Sequence, residues 1–346
     1  MFKRSWRTLN NHMEKPSLDT AKAGAIRFNT DSSQMEIYDG NQWTGILATS
    51  PELQTGGTRG IGMGGYNGSS LVGNIDFINI DSTGNASNFG NLQSTNYEAA
   101  GIGSRVRAFA GGGAPQNTRI EFVTFASTGD ATQFGTLSAG QAQLYGLSNA
   151  TRGIFAGGSP YPNGTNSISY ITLSHEGNAV DFGDIARNKI SNTSCASPTR
   201  GIMGSGQSQG GRINTIDYIT ISTQGNSADF GDAIGHGKGG FGCSNAVRGV
   251  FGGGSNPADC NNIDFLTIAT LGNTRDFGDL STLTSPNGGG CASSTRGLVL
   301  GRHVSNSYKN IIEYVQIMTT GNAIDFGDLT GNRQRIAASS NGHGGL

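Results

Sequence analysis

From Thr58 onward, short apolar runs recur in a fixed order, separated by stretches rich in Gly, Asn, Ser and Thr. One unit reads Thr199-Arg200-Gly201-Ile202-Met203-Gly204, then a loop, then Ile216-Asp217-Tyr218-Ile219-Thr220-Ile221. It closes on Gly225-Asn226-Ser227-Ala228-Asp229-Phe230-Gly231-Asp232. The Phe-Gly step returns at Phe89, Phe134, Phe182, Phe230, Phe277 and Phe326, at spacings of 45, 48, 48, 47 and 49 residues. The turn glycine ahead of it keeps step at Gly84, Gly129, Gly177, Gly225, Gly272 and Gly321. Each unit predicts three β runs: an opening Arg-Gly strand, a β-branched strand with apolar residues on both faces, and a short strand around Phe-Gly. A further strand fits the small-residue stretch between units, such as Ser191-Asn192-Thr193-Ser194-Cys195-Ala196-Ser197.

Four strands in roughly 48 residues is the size of a propeller blade. The first Thr-Arg-Gly, Thr58-Arg59-Gly60, has no small-residue strand ahead of it, and the last such strand, Ala337-Ala338-Ser339-Ser340-Asn341-Gly342, has no continuation. Pairing the two would close the ring and remove the open sheet edges that invite aggregation. The fold class expected is therefore all-β: a six-bladed β-propeller closed by its C-terminal strand, preceded by a small N-terminal β-hairpin segment. The expected boundaries are residues 1–50 for that segment, 51–57 for a linker and 58–346 for the propeller. The blades are set at 58–92 plus 333–346, 93–137, 138–185, 186–233, 234–280 and 281–329.

Composition changes this picture little. The 57 glycines among 346 residues are more than twice the usual share of about 7%, which suits many tight turns. A net charge of -1 gives no general pull toward nucleic acid or anionic membranes. No apolar stretch is long enough for a membrane span, and no apolar region follows the basic start Met1–Arg7, so a signal peptide is not expected. Cys195, Cys243 and Cys291 each stand five residues before an Arg. They should therefore fall in three different blades as small buried thiols, and Cys260 in a variable loop as a free one. Asp-Phe-Gly recurs as repeat punctuation, without the loops a kinase needs. The paired carboxylates beside it, such as Asp229 and Asp232, fall short of the six to eight oxygens calcium takes. The five histidines form no HxH or HExxH spacing and no nucleophile elbow appears, so no catalytic residue, metal or cofactor is expected.

Residues 58–346 resemble the kelch repeat: the doublets Gly157-Gly158 and Gly252-Gly253 match, and Phe182, Phe230 and Phe277 stand where kelch uses Trp. The resemblance implies that the small-residue strand is innermost. Gly24-Ala25-Ile26-Arg27-Phe28-Asn29-Thr30-Asp31 followed by Met35-Glu36-Ile37-Tyr38-Asp39-Gly40-Asn41-Gln42-Trp43 resembles a hairpin element common in bacteriophage tail-fibre and other virion proteins. The Gly-Asn-x-x-Asp-Phe-Gly-Asp repeats are similar to propellers in structural proteins of tailed phages, cyanophages especially. These resemblances imply a non-enzymatic virion protein, a tail fibre or appendage made in the bacterial host cytoplasm. Its first 50 residues would bind other virion proteins. Capsid or neck decoration, a cellular kelch-like interaction module and a glycan-active enzyme stay open as alternatives, and so does a homo-oligomer, although no heptad run supports a fibre trimer.

Alternating strand direction divides the connections between two faces. The Thr-Arg-Gly and Gly-Asn turns are short and nearly identical in every unit, whereas the loops after the Gly pair and after Phe-Gly-Asp vary. Variable loops on a rigid scaffold are where binding resides. Tyr66, Tyr97, Tyr161, His236, His303 and Tyr308 are therefore the candidate receptor residues, in chemistry suited to a host-surface glycan or protein. Arg59, Arg152, Arg200, Arg248 and Arg296 read as scaffold residues that bridge carbonyls or a neighbouring Asp. In the second unit Val106 stands at the corresponding place, between Arg105 and Arg107.

Overall fold

The computed structural model describes residues 21–29, 34–45, 57–160, 163–191, 193–209, 211–235, 238–255, 258–284, 288–304 and 307–346. The chain divides into two compact units, Met1–Leu53 and Gln54–Leu346. In the first, Ile26–Asn29, Gln34–Tyr38 and Trp43–Gly45 form a three-stranded antiparallel sheet, so the expected hairpin gains a third strand. The turn before that strand is fixed by Asp39 Oδ1, which accepts the N–H groups of Asn41 and Gln42 at 2.8 Å each.

The second unit is all-β, with no helix among the described residues, and holds six four-stranded antiparallel sheets. Sheet 1 joins Ala337–Ser340 to Arg59–Met63, Asn74–Asn79 and Ser87–Asn91. Sheet 2 comprises Ala100–Gly103, Arg107–Gly111, Arg119–Thr124 and Thr132–Thr136; sheet 3, Tyr145–Ser148, Arg152–Ala156, Thr165–Thr172 and Val180–Lys189. Sheet 4 comprises Ser194–Ala196, Arg200–Met203, Thr215–Thr220 and Ala228–Asp232; sheet 5, Phe241–Ser244, Arg248–Gly252, Cys260–Thr267 and Arg275–Thr284. Sheet 6 comprises Gly289–Ala292, Arg296–Val304, Ser307–Gln316 and Ile324–Asp328. The fourth strands of sheets 3 and 5 thus run on to Lys189 and Thr284, past the expected blade limits of 185 and 280. Cys260 opens a strand instead of lying in a loop.

The repeated motif is a set of clasps between neighbouring sheets. The turn glycine N–H of each sheet donates to the Phe carbonyl of the sheet before it: Gly129 to Phe89, Gly177 to Phe134, Gly225 to Phe182, Gly272 to Phe230 and Gly321 to Phe277. Gly84 of sheet 1 donates to Phe326 of sheet 6 at 2.8 Å in the same way. Beside this bond the turn Asn, or Asp130 in sheet 2, caps a backbone N–H of the preceding sheet, as Asn226 does for Asp184 at 3.0 Å and Asn85 for Asp328 at 3.0 Å. The glycine of Phe-Gly is required here, because a Cβ on Gly135 would lie 2.0 Å from the Gly177 carbonyl oxygen.

The arginines form a second clasp. Each guanidinium lies over the ring of a third-strand aromatic in its own sheet, as Arg200 does over Tyr218 at 4.9 Å. Each also donates to a carbonyl of the next sheet, as Arg152 does to Ile221 O at 3.0 Å and Arg296 to Ile80 O at 3.3 Å. In sheet 2 the arginine in this role is Arg107, over Phe122 at 4.6 Å and bonded to Leu173 O at 3.5 Å. This corrects the alignment on Val106, which is exposed on the turn.

The glycine after each arginine receives a side chain from the first strand of the previous sheet. An added Cβ would lie 2.2 Å from Ile102 Cδ1 at Gly153, 2.5 Å from Leu147 Cδ1 at Gly201, and 2.5 Å from Cys195 Sγ at Gly249. At Gly297 it would lie 2.5 Å from Cys243 Sγ, and at Gly60 2.9 Å from Cys291 Sγ. Sheet 2 is the exception, with Ala108 at this place. The matching residue on the previous first strand is the small Ser339, so volume is conserved across the pair. The Cys195, Cys243 and Cys291 thiols are buried and free, and burial pushes that of Cys243 up to about 12, so they act as packing groups. Gly249→Ala should therefore cost about 1–3 kcal/mol through overpacking, and adding Cys195→Ala should recover most of the loss. Urea denaturation of the two variants checks it; additive losses in the double variant would show that the residues do not share one site.

A buried acid in five of the six third strands receives the incoming connection. Asp76 accepts Thr330 N–H at 3.0 Å and pairs with Arg333 at 2.9 Å. Glu121 accepts Gln93 N–H at 3.0 Å and Asp264 accepts Gly235 N–H at 2.8 Å. Asp217 pairs with Lys189, and Glu313 with Arg302 at 2.8 Å. Burial raises the Glu313 pKa, but the bonds from Arg302 and Ser281 outweigh it and hold the carboxyl below its ordinary value. Sheet 3 has Ser169 at this position.

Candidate functional site

Four of the six candidate receptor residues come together where sheets 6, 1 and 2 meet. Tyr66 follows the Gly64-Gly65 pair of sheet 1, and its backbone bridges to Gln334 in the connection from sheet 6. Tyr97 lies in the connection from sheet 1 to sheet 2 and bridges to Ala114. His303 and Tyr308, expected on a loop, are cross-strand partners, because the second and third strands of sheet 6 extend to Val304 and back from Ser307. The Tyr66 ring centroid lies 5.7 Å from that of Tyr97 and 5.6 Å from that of Tyr308, edge-on to the latter, and His303 lies 4.8 Å from Tyr308. All four are half-buried, so each keeps part of its side chain at the surface. Tyr161 and His236 lie outside the described residues.

The cluster is held from below. The Tyr66 hydroxyl donates to Gly68 O at 2.8 Å, and Asn67 Oδ1 caps the N–H groups of Ser69 and Ser70 at 2.9 and 2.8 Å. Gly68 takes φ of +101° against the Tyr308 ring, where a Cβ would lie 2.6 Å from Cε2. A side chain there would collide with the ring and strain the turn.

Beside the cluster, the first strands of all six sheets line a central cavity of about 140 Å³. Small residues make its wall, and serines tie neighbouring strands across it, as Ser148 does by donating to Gly103 O at 2.8 Å and Ser244 to Ala196 O at 2.7 Å. One end is closed by the segment after the last strand. His343 Nε2 lies 3.0 Å from Gly103 O, Gly345 N–H donates to His343 Nδ1 at 3.1 Å, and Gly344 N–H donates to Ser244 O at 2.8 Å. The fit leaves no room for side chains, since a Cβ on Gly345 would lie 1.8 Å from Ser148 O.

The other end opens beside the aromatic cluster through a mouth of about 80 Å³ lined by Arg335, Glu98, Gln143 and Ser191. Arg335, Glu98 and Gln143 stand two residues, and Ser191 three, before the first strand of their sheets, at left-handed φ of 58°, 61°, 61° and 56° respectively. Arg335 pairs with Glu98, which also accepts Gln143 Nε2 at 2.9 Å. The Arg335 guanidinium sits 5.4 Å over the Tyr97 ring, joining mouth and cluster. Sequence reasoning missed these four residues. The available signal was their shared place ahead of the first strand, obscured by their differing chemistry.

No family model and no curated protein matches this chain. What the site can do follows from its own chemistry. Its described residues hold aromatic rings and planar polar groups in a concave surface, and no group of three or more His, Cys, Asp or Glu among them could hold a metal ion. Such a surface suits binding by stacking and hydrogen bonding.

Proposed function

We propose that the six sheets are the blades of a kelch-like β-propeller, and that the protein is a non-enzymatic virion structural protein of a tailed phage. In this reading it is a tail fibre or appendage: residues 1–50 attach it to other virion proteins, and the loop face binds a host-surface receptor or glycan. The clasp from sheet 6 back to sheet 1 supports the propeller. The virion assignment draws on the likeness of the N-terminal hairpin sequence and of the Asp-Phe-Gly-Asp repeats to phage structural proteins. The single observation that carries the binding reading is the gathering of Tyr66, Tyr97, His303 and Tyr308, from three separate sheets, into one half-buried cluster on the variable-loop face. Nothing in the scaffold's repeat requires these aromatics there, because the corresponding loops of the other sheets differ in length and composition.

Gold-labelled antibody against residues 58–346 on purified phage particles tests the location. Label on fibres or the tail tip is expected. Label on the capsid or neck would keep the virion assignment and shift the role to decoration. Absence of label, with the epitope accessible on the free protein, would overturn it in favour of a cellular binding module.

A further inference from the structure

We infer that the cavity mouth lined by Arg335, Glu98 and Gln143, together with the Tyr97 ring against Arg335, is a recognition subsite for an uncharged sugar of a glycan lying across the loop face. The inference rests on the loop-face binding reading and adds the ligand's chemistry and the residues that select it.

Tyr97 connects the two parts: its ring is 5.7 Å from Tyr66 on one side and lies under the Arg335 guanidinium on the other. A chain of sugars stacked along Tyr308, Tyr66 and Tyr97 is thereby led to the mouth. A groove of about 550 Å³ between sheets 2 and 3 shares Glu98 and Gln143 with the mouth and is also lined by Pro115. The ligand path is therefore continuous from sheet 6 to sheet 3.

The polar groups at the mouth are planar and only partly used. Gln143 Oε1 and Arg335 Nε are buried without a hydrogen-bond partner among the described residues, a condition that folded proteins seldom leave unmet. Ligand hydroxyls supply such partners once the two side chains, which cover these atoms in the free protein, turn toward the mouth. Carboxylate, amide and guanidinium groups side by side match adjacent hydroxyls, each of which both donates and accepts.

The backbone gives a separate reason. Arg335, Glu98, Gln143 and Ser191 all hold left-handed conformations that L-residues adopt at a steric cost. Sheet 5 places Gly239, with φ of 72°, at the same position and avoids that cost. A turn needed only for the fold would favour glycine throughout. Polar side chains kept in strained geometry around a cavity mouth point to use of those side chains.

Charge sets the ligand class. Among the described residues lining the mouth and the groove, Arg335 and Glu98 are the only charged groups, and they neutralise each other. A sugar carboxylate would meet Glu98 and gain no free cation, whereas a neutral sugar loses nothing.

The test is an array of neutral linear oligosaccharides and their sialylated or uronic-acid counterparts, probed with the full chain and with Tyr97→Leu, Gln143→Asn and Tyr308→Ala. Asn tolerates left-handed φ, so Gln143→Asn removes reach while keeping the turn, and thermal melting confirms folding. Neutral glycans should bind, and Tyr97→Leu and Gln143→Asn should each weaken binding by about tenfold, the scale of one lost stacking or hydrogen-bonding group. Binding lost in Tyr308→Ala but unchanged in the other two would overturn the subsite while leaving glycan binding by the loop face intact. Preference for the acidic sugars would overturn the neutral class. If no sugar binds while the protein still adsorbs to host cells through Tyr308, the inference falls and the receptor reading stands. If adsorption is also absent, both fall.

Discussion

Replacing Lys189 by Met should destabilise the second unit by about 3–5 kcal/mol, the usual cost of stranding one member of a buried ion pair. Lys189 is fully buried at the end of the long fourth strand of sheet 3, where its Nζ donates to Asp217 Oδ2 and to Thr215 O at 2.8 Å. Burial pulls its pKa down, and Asp217 opposes that shift. Without the ammonium, Asp217 lies between two sheets with no ion-pair partner among the described residues. Adding Asp217→Asn should recover most of the loss, because a neutral amide with partial hydrogen bonding costs far less than an unpaired carboxylate. Asp264, at the same place in sheet 5, accepts Gly235 N–H at 2.8 Å and Thr274 Oγ1 at 3.2 Å, and it also interacts electrostatically with Arg212. The position therefore needs a connection to hold and accepts different partners. Guanidinium denaturation of the single and double variants measures the effect. A loss under about 1 kcal/mol, the range of exposed pairs, would mean that water reaches Asp217.

That pair also shows where sequence reasoning stopped. The sixfold period, the strands and the pairing of Ala337–Ser340 with Arg59–Met63 were legible because each depends on a local pattern repeated in register. The acid in Ile216-Asp217-Tyr218 recurs as Asp76, Glu121, Asp264 and Glu313, but its partner differs each time, Arg333 for Asp76 and Arg302 of the same sheet for Glu313, so no spacing reveals it. The alignment of sheet 2 on Val106 failed for a related reason: the position is defined by a ring beneath the guanidinium, and only Arg107 has one. At the site, the candidate aromatics were visible as loop chemistry. Their meeting point was not, because Tyr66, Tyr97 and Tyr308 are brought together only when the last sheet lies beside the first. The strained mouth residues were invisible for want of any shared residue type.

Acid should release the segment that closes the cavity. Among the described neighbours, His343 Nε2–H donates to Gly103 O and Nδ1 accepts Gly345 N–H, an arrangement that only neutral imidazole satisfies. A proton on Nδ1 would face the Gly345 N–H donor, and Arg105 adds positive charge nearby. Burial, chiefly, lowers the His343 pKa from 6.5 to about 4. Between those two values a released segment binds a proton that the docked segment refuses. Docking is therefore strongest above pH 6.5 and weakens as pH falls toward 4, by about 3 kcal/mol in all at roughly 1.4 kcal/mol per pH unit. The Gly344 and Gly345 amides, protected at neutral pH, should exchange with solvent progressively faster across this window while the amides of the sheets stay protected. His343→Gln, which cannot take up the proton, should flatten the dependence. An NMR titration of the imidazole run beside the exchange measurement decides the matter. Titration near pH 6.5 with the two amides still protected at pH 4 would show that the ring reaches water in the docked state. The cavity would then be open at both ends, and the blind pocket behind the Arg335–Glu98–Gln143 mouth would be a through channel.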